Sequence, residues 1–170
     1  ATSTDAAGNT STNSSVFNVT VDTTIAAPTG LDLAAADDTG TSNTDNLTKN
    51  ASGLTITGSG EEGAVVTLFD DVNGNGKQGG SEATLGTGTV SGGTFSIDIT
   101  LANGTTHVGA FQTDIAGNSS NNIGSTDLDI TVDTVADAAP TTTVVINDGD
   151  GFINNSEKAA VSYTLAGIDA

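Results

Sequence analysis

The sequence predicts an all-β chain of tandem two-sheet sandwiches, and three observations lead there. Val, Ile, Leu, Thr and small residues dominate, beside 22 Gly and long Ser/Thr/Asn/Asp tracts, a mixture that favours strands and turns over helices. Short runs of alternating apolar and polar residues recur at regular spacing, with turn residues between them. The chain also repeats itself at a long period.

The strand signals follow in order. LDLA (31–34) and GLTITG (53–58) come first, then AVVTLFD (64–70). LGTGTV (85–90) is a weak run broken by glycine. TFSIDITL (94–101) alternates cleanly and puts Phe95, Ile97, Ile99 and Leu101 on one face. TTHVGAFQTD (105–114) is the sixth, with His107 expected as a packing residue, and TDLDITVD (126–133) turns Leu128, Ile130 and Val132 inward. Seven such strands in about 110 residues suit an immunoglobulin-like β-sandwich. One face of each sheet is buried, so the opposite positions carry Thr, Ser and Asp.

The repeat sets the domain boundaries. TDAAGNTS (4–11) returns as TDIAGNSS (113–120), FNVTVDT (17–23) as LDITVDT (128–134), and AAPT (26–29) as AAPT (138–141). Asp22 and Asp133 are 111 residues apart, and Pro28 and Pro140 are 112. GLTITGSG (53–60) is echoed by AVSYTLAG (160–167). The expected organisation is the tail of one repeat at 1–23, a complete repeat at 24–134 and the head of the next at 138–170. Both prolines sit in the connectors, where a fixed φ and a missing N–H do no harm.

Charge narrows the function. Twenty-one acids face three lysines and no arginine, a formal net charge of -18. Such a surface repels nucleic acid and anionic membranes. Seventeen of the acids are Asp, beside Gly and Asn, which suits turns and oxygen ligands for a hard cation better than it suits mere solubility. With no cysteine, neither disulfides nor thiolate zinc sites can staple the fold, and bound cations are the expected stabiliser. Neither a signal peptide nor an apolar run of about 18 residues is evident, the expectation for mature or excised sequence.

Three kinds of calcium site are expected. DVNGNGKQGGSE (71–82) has EF-hand loop spacing: Asp71, Asn73, Asn75 and Glu82 at positions 1, 3, 5 and 12, Gly76 at 6 and the Lys77 carbonyl at 7. Two Asn in place of Asp lower the ligand charge and so the affinity. The competing reading is a long hairpin turned by its Asn-Gly pairs. INDGDGFINNSE (146–157) is a partial twin, with Asp148, Asp150 and Glu157 at positions 3, 5 and 12 but Ile146 at position 1. Alternating strands sort the loops onto two ends. One junction would gather Asp22 with Glu61, Glu62, Asp114 and Asn118, and the other Asp133 with Asp37, Asp38 and acids of the next repeat. Solvated acids on a flexible linker are the competing reading.

The string LDLAAADDTGTSNTDNLT (31–48), the TDIAGN loop and VDT followed by Pro resemble the tandem Ig-like repeats of giant biofilm-associated, type I-secreted surface adhesins of the RTX kind. The resemblance implies an extracellular, cell-surface stalk of calcium-clamped repeats, each partnered by its neighbours in the same chain. Enzyme chemistry is not expected: the single histidine has no nucleophile beside it, and the glycines do not precede a Lys-Ser/Thr turn. The alternatives are a self-associating surface filament or surface-layer subunit, and a module binding glycan or ice through Thr-rich faces.

Overall fold

The computed structural model describes residues 1–122, 127–136, 145–146, 152–156, 158 and 163–164. The chain is all-β, without an α-helix among the described residues, and forms an Ig-like sandwich of two sheets. The strands are β1 (Thr29–Leu33), β2 (Leu47–Thr48), β3 (Ser52–Ser59), β4 (Val65–Asp70), β5 (Thr84–Thr89), β6 (Thr94–Thr100), β7 (Gly104–Thr113) and β8 (Leu128–Val132). A single 3₁₀ turn, Ser120–Asn122, lies between β7 and β8. Two short strands, β9 (Val145–Ile146) and β10 (Tyr163–Thr164), pair with each other.

One sheet runs β1-β3-β6 and the other β2-β8-β7-β4-β5. All pairs within them are antiparallel except β2 with β8, which is parallel. The two-residue strand β2 was not among the seven expected. It is too short to show a period, and its place comes from the Thr131 and Asp133 N–H groups, which donate to the Asn46 and Thr48 carbonyls.

Alternation does what the sequence promised in β6 and β8, where the inward residues are buried and the outward ones exposed or partly so. The core joins Leu33, Leu54, Ile56, Val66, Leu68, Phe95, Ile97, Ile99, Val108, Ile130 and Val132 across the two sheets. At roughly 1.5–3 kcal/mol per buried aliphatic or aromatic side chain, these contacts dominate the favourable side of folding. The glycines of β5 are a packing device. A Cβ on Gly86 or Gly88 would meet the Ile97 side chain at 2.8 or 2.7 Å, so only glycine lets this edge strand approach β6 of the facing sheet.

The expected packing role of His107 is corrected. Its side chain is 51% exposed and pairs with Asp129 across the β7–β8 ladder, Nδ1 to Oδ1 at 2.6 Å. Val108 and Leu128, next in register, take the inward positions.

Antiparallel pairing sorts the loops. Residues 24–30, 59–64 and 113–119 gather at the leading end, where the chain comes in from 1–23. The loops 34–46 and 71–83 and the exit past Val132 lie toward the trailing end. Residues 1–23 contain only the Thr4–Thr10 bridge, and Val16, Phe17, Val19 and Val21 are 72–88% exposed.

Candidate metal centres

At the leading end the incoming segment is tied down before β1 begins. Ile25 enters the core, 8% exposed. The buried Gln112 amide donates to the Ala26 carbonyl at 2.9 Å and accepts from the Glu61 N–H at 3.0 Å, while its own backbone N–H donates to Ser120 Oγ. One side chain of β7 thereby holds both the connector and the β3–β4 loop.

That clamp sets the acids. Ligand oxygens of Asp22, Glu61 and Asp114 all lie within 4.8 Å of one another. Asp114 closes its own loop: Oδ1 accepts from the Asn118 N–H at 2.8 Å and Oδ2 from the Asn118 amide at 2.8 Å. These bonds, the side-chain one first, hold the Asp114 carboxyl below the usual carboxylate range, keeping it charged. The Asn118 amide also donates to the Asp22 carbonyl at 3.2 Å. The acids line a cleft of about 370 Å³ with Thr20, Glu62, Ile115 and Ala116. Glu62 lines the cleft but is not one of the three grouped acids, and its Oε2 accepts from the Gly93 N–H. Asp22 and Glu61 are exposed and Asp114 is buried, and three oxygen donors of this kind are of the type a hard divalent cation takes.

The 71–82 loop closes on itself with an EF-hand-like pattern. Asp71 is fully buried and accepts N–H bonds from Asn75 and Gly76. Gly76 has φ 70°, the left-handed conformation the turning position requires. Asn75 Oδ1 accepts from the Lys77 N–H. Glu82, 7% exposed, accepts from the Asn73 amide at 2.6 Å and the Gly79 N–H at 2.6 Å. The loop is pinned to the 3₁₀ turn by Asn121, which accepts from the Gln78 N–H at 2.7 Å and donates to its carbonyl at 3.2 Å.

A residue that the sequence reading missed faces this loop. The Asp127 carboxyl, just before β8, stands within hydrogen-bond reach of Asp71. Burial, then the charge of Asp71, pushes Asp127 up. Burial would push Asp71 up too, but the Gly76, Asn75 and Gly74 N–H groups outweigh it and hold Asp71 low. Asp127 Oδ1 is buried and accepts no hydrogen bond. A proton on Asp127 or a hard cation would each offset the two carboxyl groups at this loop.

Each trailing-end acid accepts a backbone N–H bond. Asp37 accepts from the Thr55 N–H of β3, Asp38 from the Asn46 N–H, and Asp133 from the Val135 N–H. Among the described residues the three do not form one carboxylate cluster. Asp148, Asp150 and Glu157 lie outside the described residues.

No helix among the described residues is long and apolar enough to cross a membrane. No curated protein matches the chain. The sequence profile of the bacterial Ig-like domain matches residues 24–134. With the two-sheet sandwich and its leading-end loops in place, that match covers more than half of the chain, which belongs to the bacterial Ig-like domain family.

Proposed function

We propose that the chain is an extender module in the stalk of a bacterial cell-surface adhesin that works in attachment and biofilm formation, with calcium stiffening its joints outside the cell. The Ig-like family and the acid-rich surface support a structural module at the surface rather than an enzyme. The single observation that carries the calcium reading is the meeting of Asp22, from the segment before the domain, with Glu61 and Asp114 of the domain itself. An ion there would bond the connector to the sandwich, restricting the hinge between neighbouring repeats. Residues 71–82 with Asp127 would hold a second ion within the domain.

The mechanism is electrostatic. Without the ion, like charges at the joint push the incoming segment away; with it, the same carboxylates attract one centre and the joint loses freedom. Small-angle scattering on a stretch with two complete repeats tests this. In millimolar calcium the scattering should fit one extended rigid body, and in EDTA a flexible pair. Curves that coincide in the two conditions would overturn calcium stiffening.

A further inference from the structure

The loop between β1 and β2 has a feature that the leading-end joint does not explain. It is tied at nearly every turn: Asp37 accepts from the Thr55 N–H at 3.0 Å, Thr48 Oγ1 donates to the Asp37 carbonyl at 2.6 Å, and the Lys49 N–H donates to Thr39 Oγ1 at 2.9 Å. The Gly40 N–H donates to the Leu47 carbonyl and the Thr131 N–H to the Asn46 carbonyl. Asn46 is the only non-glycine with positive φ among the described residues, at 58°. Within this closed loop two acceptors are buried and accept no hydrogen bond: Asp38 Oδ1 and Asn46 Oδ1.

They belong to neighbouring side chains, since the Asn46 N–H donates to the other Asp38 oxygen at 3.0 Å. Asp38 is 4% exposed, and the one ion pair among the described residues is elsewhere, at His107 and Asp129. A carboxylate taken out of water without a countercharge is unfavourable, and each orphaned acceptor adds to that penalty. Further loop oxygens gather around the exposed Gly40, where the Leu47 carbonyl already accepts from the Gly40 N–H and Asp45 Oδ1 from the Leu47 N–H. A Cβ on Gly40 would lie 3.1 Å from the Leu47 carbonyl, 3.6 Å from Asp45 Oδ1 and 3.7 Å from the Ser42 carbonyl.

We propose that residues 38–47 form a cation site of their own, with Asp38 Oδ1 and Asn46 Oδ1 as side-chain ligands for calcium. All the candidate donors are oxygens, which selects a hard cation. A flexible shell completed by loop carbonyls and water suits calcium better than the strict octahedron of magnesium. A single buried carboxylate makes the site weak, working at millimolar calcium. A lone water could donate to both oxygens but would leave the Asp38 charge uncompensated. The site lies within one repeat at the trailing end, so it stands whether or not the leading-end joint binds calcium. By fixing the loop that carries β2 against β8, it would stiffen the domain where the chain leaves it.

The test is a ¹H–¹⁵N NMR titration of the chain with CaCl₂, with MgCl₂ and NaCl as parallel arms. Saturable shifts of the Asp38, Thr39, Gly40 and Asn46 amides are expected with calcium and not with the other salts. In Asn46→Gly, which keeps the positive φ without strain, the midpoint for these amides should rise about tenfold or more. Asp38→Asn should abolish the response. The leading-end joint is read separately at the Glu61 and Asp114 amides. Loop amides that stay still in calcium, or an N46G protein with an unchanged midpoint, would overturn the proposal and leave a buried water as the occupant. Equal responses to sodium or magnesium would overturn calcium as the ligand.

Discussion

Asp71 and Asp127, 56 positions apart in the chain, bring their carboxyl groups within hydrogen-bond reach at the flank of the five-stranded sheet. The pair titrates as a unit, with the proton favouring Asp127 and the charge favouring Asp71. Replacing Asp127 by Asn removes the repulsion but keeps an oxygen. In EDTA the D127N protein should be as stable as wild type or more stable, by on the order of 1 kcal/mol. In millimolar calcium the order should reverse. Chemical denaturation in both conditions checks it, and a D127N protein with the full calcium gain would remove Asp127 from the site.

The Gln112 latch makes a second prediction. Gln112→Leu keeps the volume but leaves the Ala26 carbonyl and the Glu61 N–H without their partner. The loss should be about 1–3 kcal/mol in urea unfolding. The same variant should weaken calcium binding at Asp22, Glu61 and Asp114, because the connector and the β3–β4 loop are no longer held together. Unchanged stability would mean that Ile25 alone docks the connector.

A third concerns close packing outside the main core. A Cβ on Gly109 would sit 2.4 Å from the Phe69 ring, which also packs on Phe111 with centroids 6.2 Å apart. Gly109→Ala must push the ring aside, at a cost of about 1–3 kcal/mol. A thermal melt reads this as a lower Tm in calcium and in EDTA alike, since no proposed ligand is touched.

His107 supplies the pH dependence. The hydrogen bond to Asp129, then its charge, raises the His107 pKa above the ordinary histidine value. The folded state therefore binds the proton more tightly than the unfolded state. The stabilisation is fully present below about pH 6.5 and is lost as pH rises through the folded pKa. The pair is exposed, so the effect is small and screened by salt. His107→Gln should flatten the stability profile between about pH 6 and 8. A slope of the same size in the variant would place the titrating group elsewhere.

The sequence made visible what is local. Residues 4–9 and 113–118 share a string and also share bonds: Asn9 closes on Asp5 as Asn118 closes on Asp114. An Asx-type loop of five residues, Asp5–Asn9 or Asp114–Asn118, carries its geometry in its own letters. Alternation placed Phe95, Ile97, Ile99, Ile130 and Val132 correctly because a half-buried strand has a period of two. The same parity puts His107 outward once Val108 is seen to face in, and the packing expectation overlooked it. Asp127 was hidden for another reason. Its contact with Asp71 exists only after β7 has paired with both β4 and β8, and nothing within the separate segments announces it. The orphaned oxygens of Asp38 and Asn46 were equally invisible, because an unmade hydrogen bond has no sequence pattern.

The most direct test of calcium clamping is a thermal melt of this chain in millimolar CaCl₂, in excess EDTA and in MgCl₂. Ligands bound to the folded state alone raise stability by about 2.7 kcal/mol per site at a hundredfold excess over Kd. A large rise in Tm is expected with calcium and little with magnesium. Melts that coincide in calcium and EDTA would contradict it, leaving an acidic Ig-like spacer whose joints are held by Ile25 and Gln112 without an ion.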